Sequence, residues 1–151
     1  MLLSRFSNVF CNRQTTCAQA IKNWEAKNGE EAKNAVEIKM CCQLPPITKI
    51  DKSLGGLKNC EVLSLSTNNI DRVINLAGMS KLRILSVGRN SIKKIEKLED
   101  VASTLEQLWI SYNQISSLEG LASLKKLHTL YISNNMIKSF SELNHLVRNK
   151  I

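Results

Sequence analysis

One spacing recurs between Cys60 and Phe140 and leaves few folds open to the chain. Cys60, Leu63, Leu65, Asn68 and Ile70 stand in the same order as Leu82, Leu85, Val87, Asn90 and Ile92. Leu105, Leu108, Ile110, Asn113 and Ile115 follow, then Leu127, Leu130, Ile132, Asn135 and Ile137. The starts step by 22, 23 and 22 residues. Side chains two residues apart on a strand point the same way, so each apolar pair, such as Leu63 and Leu65, turns inward and the residue between them outward. One such unit has nothing of its own to cover that apolar face, so neighbours must stack. Burying each Leu or Ile contributes roughly 1.5–3 kcal/mol. About five such positions per unit offset much of an ordering cost of roughly 1–2 kcal/mol per backbone residue. Asn68, Asn90, Asn113 and Asn135 follow each strand, where an amide side chain can satisfy backbone groups that a turn leaves unpaired.

The pattern L-x-x-L-x-L-x-x-N-x-I at this period is the leucine-rich repeat signature, and the expected fold is an α/β solenoid of 22-residue repeats. The outer side of each turn carries apolar residues three apart: Val73, Leu76, Met79; Ile95, Leu98, Val101; Leu118, Leu121, Leu124. That spacing suits short 3₁₀ segments. Ile47, Ile50, Leu54 and Leu57 match the back half of a repeat, which places the start of the solenoid near Pro45 with a partial first repeat and a tight place at Gly55-Gly56. Upstream, Thr15 or Thr16 can cap a helix whose apolar stripe is Cys17, Ala20, Ile21 and Trp24 and whose end is Gly29. Asn34 with Glu37 has capping-box spacing, which predicts a second helix over 35–43 that stops at Pro45-Pro46. The expected domains are an extension over 1–14, an N-terminal helical cap over 15–44 and repeats over 45–151. The composition of 1–14 suits either a transit peptide or a floppy extension. Downstream of Phe140, Leu143, Leu146, Val147 and Ile151 share a helical face with Ser141 as N-cap. No further strand pattern follows, so the inward residues of the fourth repeat are expected to lack a cover and the chain to be marginal or sticky.

Bulk chemistry narrows the function classes. The net charge of +8 is spread evenly, with nine basic and five acidic residues in 1–59 and twelve and eight in 60–151. This favours an acidic partner surface only weakly and leaves nucleic acid, acidic protein and no specific partner open. Lys93, Lys94, Lys97, Lys125 and Lys126 cluster beside the outer segments, as a solvated face does. Five cysteines, an odd number with no C-x-x-C pair, argue against a disulfide framework and a zinc site, and for reduced thiols in a cytoplasmic-type compartment. No apolar run reaches the ~18–20 residues of a membrane span. His128 and His145 are the only histidines, and no catalytic spacing or phosphate loop surrounds them. A non-enzyme without cofactor, metal or small-molecule substrate is expected.

Function is therefore expected on the outward columns of the sheet. The central column is Ser64, Ser86, Trp109 and Tyr131; Val62, Ile84, Gln107 and Thr129 precede it, and Ser66, Gly88, Ser111 and Ser133 follow it. Arg89 and Tyr112 lie at the edge. Trp109 and Tyr131 should occupy adjacent rungs ~4.8 Å apart. Exposed Trp, Tyr and Arg are the residue types that dominate protein interfaces, and an apolar patch with Val62 and Ile84 beside it marks a contact surface. An aromatic pair that only stabilises the sheet is the alternative.

Several stretches resemble one family closely: "AIKNWE" at 20–25, "EIKMCCQLPPITKID" at 37–51, "NCEVLSLSTNNI" at 59–70, "LRILSVGRNSIKKI" at 82–95, "TLEQLWISYNQI" at 104–115 and "LYISNNMIKSFSEL" at 130–143. From about Thr15 onward the chain resembles the axonemal dynein light chain 1 family, the leucine-rich repeat light chains of the outer dynein arm. The resemblance implies right-handed solenoid turns with a helical cap at each end. It implies a non-catalytic subunit that binds an axonemal dynein heavy chain near its microtubule-binding region, modulates ciliary or flagellar motility, and sits close to tubulin, a further candidate partner. In that family the sheet face is thought to carry the contact, which lands here on Trp109 and Tyr131 with Ser64 and Ser86 in the same column. The implied location is the cytoskeleton of the cilium or flagellum, at the axoneme; membrane and nucleic-acid partners are disfavoured. Family members continue for roughly another repeat and a C-terminal helix, and 1–14 has no clear match. The rival reading is a generic repeat regulator, binding a phosphatase or an RNA–protein particle, which rests on fold and charge alone.

Overall fold

The computed structural model describes residues 14–73 and 76–147. The expectations for 1–13 lie outside the described residues. Five three-residue strands stack in sequence order into one parallel sheet: β1 Glu37–Lys39, β2 Val62–Ser64, β3 Ile84–Ser86, β4 Gln107–Trp109 and β5 Thr129–Tyr131. Their register sets Ile38, Leu63, Leu85, Leu108 and Leu130 in one inward row, the first four fully buried. Each strand returns through the outer side of its turn, where 3₁₀ segments form at Lys52–Gly56, Glu99–Val101, Glu119–Leu121 and Phe140–Leu143. Leu54, Leu76, Leu98 and Leu121 fill the core from that side.

The asparagine ladder is the polar counterpart of this core. Asn90 Oδ1 accepts from the Ile70 backbone N–H at 2.9 Å, and its Nδ2 donates to Leu65 and Val87 carbonyls at 3.2 and 2.9 Å. Asn68 and Asn113 repeat these bonds one rung away on either side, and Asn135 a rung further on. Each amide therefore ties its own turn to the preceding repeat. The residue before each asparagine makes this possible by adopting the left-handed region: Thr67, Arg89, Tyr112 and Asn134 have φ of 56, 54, 58 and 56°. Such values are uncommon outside glycine and persist when the surroundings over-determine them. On the outer side, Gly120 lies where a Cβ would come within 1.7 Å of the Ile95 carbonyl oxygen, so side chains are excluded there.

At the N-terminal end, helix α1 Cys17–Asn28 is capped by Thr16, whose hydroxyl accepts from the Gln19 N–H, and ends at Gly29 with φ 71°. Cys17, Ala20 and Trp24 are buried against the first repeat. The second helix expected over 35–43 does not form. Glu37–Lys39 is β1, and the Asn34 amide donates to Glu31 instead of joining a box with Glu37. Ile38 gains full burial as a strand residue beside Leu63, and Met40 just past the strand is equally buried, which outweighs the local capping signal. The repeat that was expected to begin near Pro45 thus has its own strand upstream. At the other end, the helical segment is capped by Ser139 rather than Ser141. The Ser139 hydroxyl accepts from the Ser141 N–H, the Phe140–Leu143 turn follows, and helix α2 Asn144–Val147 continues it.

Candidate partner-binding face

The outward face of the sheet is set by the same register. Ser64, Ser86, Trp109 and Tyr131 are consecutive rungs of one column, with Val62 and Ile84 paired in the column before. Trp109 is 43% exposed and Tyr131 54%, while Val62, Ile84, Ser64 and Ser86 are half-buried. The two rings meet edge to face, their centroids 5.2 Å apart at 72°, a favourable arrangement for aromatic quadrupoles. The Trp109 indole N–H donates to Gln107 at 3.2 Å, which steadies the ring without hiding it.

Beside the column runs a strip of small residues. Ser66 and Ser86 hydroxyls are 2.8 Å apart and Ser133 donates to Ser111 at 3.1 Å, so these hydroxyls are turned on one another. Gly88 lies between them. The result is a shallow hollow of about 260 Å³ with a hydroxyl floor, walled by Trp109, Tyr112 and Tyr131 and rimmed by Arg89. Arg89 and Tyr112 reach it because both are the left-handed residues of their turns. The Arg89 guanidinium lies 4.3 Å from the Tyr112 ring centroid, a cation–π contact. The eight outward residues singled out from the sequence therefore share one face. Sequence reasoning missed that the hydroxyls are mutually satisfied and that Arg89 stacks on Tyr112; the positive φ that brings the last pair together has no local composition signal.

The other flank of the face is ionic. Arg83 bridges Glu61 at 3.3 Å and Glu106 at 2.9 Å, and His128 lies 3.8 Å from Glu106. Hydrogen bonding from Arg83 holds the Glu106 carboxyl below its usual range. Arg83 and His128 are exposed and the two glutamates half-buried, so the ladder orients the rim more than it stabilises the fold. Among the described residues no group of three His, Cys, Asp or Glu could hold a metal ion. Burial pushes the Cys17 and Cys60 thiols up to about 11, which keeps them protonated core residues.

Stacked parallel strands, an inward leucine row and an asparagine ladder define the class: the fold is a leucine-rich repeat solenoid, and residues 103–145 match the family model "Leucine Rich repeats (2 copies)". The solved structure of internalin C2 from Listeria monocytogenes is similar over 68% of this chain and 45% of its own, at 34% identity and a TM-score of 0.58. The particular resemblance is to dynein axonemal light chain 1. That protein from Danio rerio is 52% identical over 97 residues, 64% of this chain and 50% of the relative. The Homo sapiens protein is 52% identical over 95 residues, 63% and 50% respectively, and the Chlamydomonas reinhardtii protein 49% over 97 residues, 64% and 49%. The match thus spans about half the length of these curated relatives.

Proposed function

We propose that the chain is a non-catalytic dynein light chain that grips an axonemal dynein heavy chain through its outward sheet face, near the heavy chain's microtubule-binding region, and modulates ciliary or flagellar motility from the axoneme. The observation that carries this reading is the exposed Trp109–Tyr131 pair beside a hollow of about 260 Å³. An aromatic wall over a small-residue floor offers a partner side chain a place to insert, and such anchors dominate interface energetics. Relatives named dynein axonemal light chain 1 support the partner class. Tubulin is a further partner of the same complex under this reading.

The test is a pull-down with heavy-chain stalk fragments, comparing wild type with Trp109→Ala and Tyr131→Ala. Each change should weaken binding by on the order of 2 kcal/mol. Unchanged retention of the double variant sinks the proposed face. Binding to RNA with a steep loss at higher salt would instead support an RNA–protein particle as the partner.

A further inference from the structure

Charged side chains on and beside the sheet face come in pairs, with one exception. Lys39 pairs with Glu37 at 2.8 Å, Arg83 bridges Glu61 and Glu106, and His128 lies against Glu106. Among the described residues Arg89 has no ion-paired or hydrogen-bonded side-chain partner; its guanidinium lies over the Tyr112 ring instead. A ring stack uses the flat face of a guanidinium and leaves its N–H donors, which point outward in the plane, unspent. The stack is also held from below. Arg89 N–H donates to Ser111 O and Tyr112 N–H to Ser133 O, both at 2.9 Å, so the two left-handed turns carry these side chains on fixed backbone. The hollow beside this fork is its chemical opposite. Arg89 is the one charged residue lining it. The Ser66 and Ser86 hydroxyls bond each other, and Ser111 accepts from Ser133. A polar group lowered onto that floor would give up water for few replacement bonds. An apolar one would gain contact with the exposed Trp109 and Tyr131 rings.

We propose that the face takes a protein segment in which an Asp or Glu stands beside a large apolar residue. The carboxylate meets the edge of the Arg89 guanidinium through two N–H···O bonds, and the apolar side chain fills the hollow. This rests on the reading of the sheet face as the partner grip and adds the chemistry of what is gripped. Two parallel bonds to a planar carboxylate are the arrangement a guanidinium fork fits best. The stack on Tyr112 holds that fork in advance, so less side-chain freedom is lost when the acid arrives. The apolar neighbour excludes water from the pair, which strengthens it. A carboxylate suits the site better than a phosphate dianion, because Arg89 is the only cation at the hollow. The net charge of +8 draws an acidic segment toward the chain in the same sense.

The experiment pans a phage-displayed random peptide library on the full chain and keeps the peptides that Trp109→Ala weakens, which marks them as bound to the sheet face. Their affinities are then read by fluorescence polarisation. The expected peptides carry Asp or Glu beside a large apolar residue. Arg89→Gln should weaken them about tenfold or more with the circular dichroism spectrum unchanged. Arg89→Lys keeps the charge but loses the fork, so it should retain only part of the affinity. Exchanging the peptide's acid for Lys should restore binding to Arg89→Glu, a rescue that a purely structural Arg89 would not give. All three replacements are unbranched, so the left-handed φ of 54° burdens them alike. A library without any Trp109-dependent peptide overturns the proposal, as do such peptides without an acid or with equal affinity for Arg89→Gln. A preference for phosphoserine over glutamate at the acidic position overturns it too, since the anion would then be a phosphate. Heavy-chain stalk fragments separate this proposal from the wider reading. Fragments that bind wild type and Arg89→Gln equally leave the heavy-chain contact standing and overturn the acidic anchor. Peptides that behave as expected, beside fragments that do not bind wild type, support the anchor and count against the heavy chain alone.

Discussion

At the β1 end of the sheet the core is closed, whereas at the β5 end, among the described residues, Leu130, Ile132 and Ile137 are only half-buried. Helix α1 lays Cys17, Ala20 and Trp24 over the first repeat, and the Asp51 carboxylate pins it by accepting from the Cys17 N–H at 3.2 Å. The β1 edge is charged, with Glu37 and Lys39 paired at 2.8 Å, as edge strands that avoid unwanted pairing are. β5 has neither device. Its inward leucine is half-buried, and the tie from the following segment is the Glu142 carboxylate, which accepts from Ser117 at 2.8 Å and the Leu118 N–H at 2.7 Å. In a quasi-one-dimensional stack each repeat is held by its neighbours, so stability is expected to fall from the closed end to the half-buried one.

The sharpest way to break this comparison is a matched pair of truncations. Ile38→Ala should cost about 2–5 kcal/mol in urea denaturation, because its site is sealed on both sides. Leu130→Ala should cost clearly less, since water already reaches that side chain. Equal losses would mean that the two ends are equally packed. Next in size is Gly120→Ala, whose Cβ would press on the Ile95 backbone carbonyl rather than on a side chain that can move. A loss of about 1–3 kcal/mol or more is expected, with Gly56→Ala, which meets open space, as the near-neutral control. The asparagine ladder grades the interior. Asn113 is buried, and its replacement by Ala strands the Ile92 N–H, while the Val87 and Ile110 carbonyls keep Asn90 and Asn135 as donors, so a loss of about 1–3 kcal/mol in thermal melts is expected. Asn135→Ala, nearer water, should cost less.

The smallest effect is acid release at the β5 end. Hydrogen bonds from the Leu118 N–H and then Ser117 hold the Glu142 carboxyl below its usual range. A carboxylate lowered in the folded state contributes stability that is present above its unfolded pKa and is lost as pH falls through the folded value. Proteolysis of residues 139–147 should therefore accelerate as pH drops below the ordinary carboxylate range. Glu142→Gln should flatten that dependence, and an unchanged profile would show that the carboxylate does not hold the segment.

Much of the fold was legible because a solenoid is periodic. Leu63, Leu85 and Leu108 could be assigned to one row without coordinates, and the Trp109–Tyr131 column followed from the alternation of strand side chains. Where periodicity stopped, local signals misled. Asn34 and Glu37 have the spacing of a helix start, yet the neighbouring β2 offers Ile38 a buried row and four-residue capping logic cannot see that partner. The hollow was half legible: its aromatic walls were read from the column, but its hydroxyl floor depends on which rotamers Ser66 and Ser86 adopt against each other.

By itself the sequence determined the stacking. A 22-residue apolar period has one economical way to hide its leucines, and the asparagines between repeats fit that way alone, so fold and outward columns follow from local order. Tertiary structure alone decided the strand identity of Glu37–Lys39 and the contact of Arg89 with Tyr112. Each of these depends on what lies one rung away in space, and burial beside a neighbour is a property that no single stretch of chain carries.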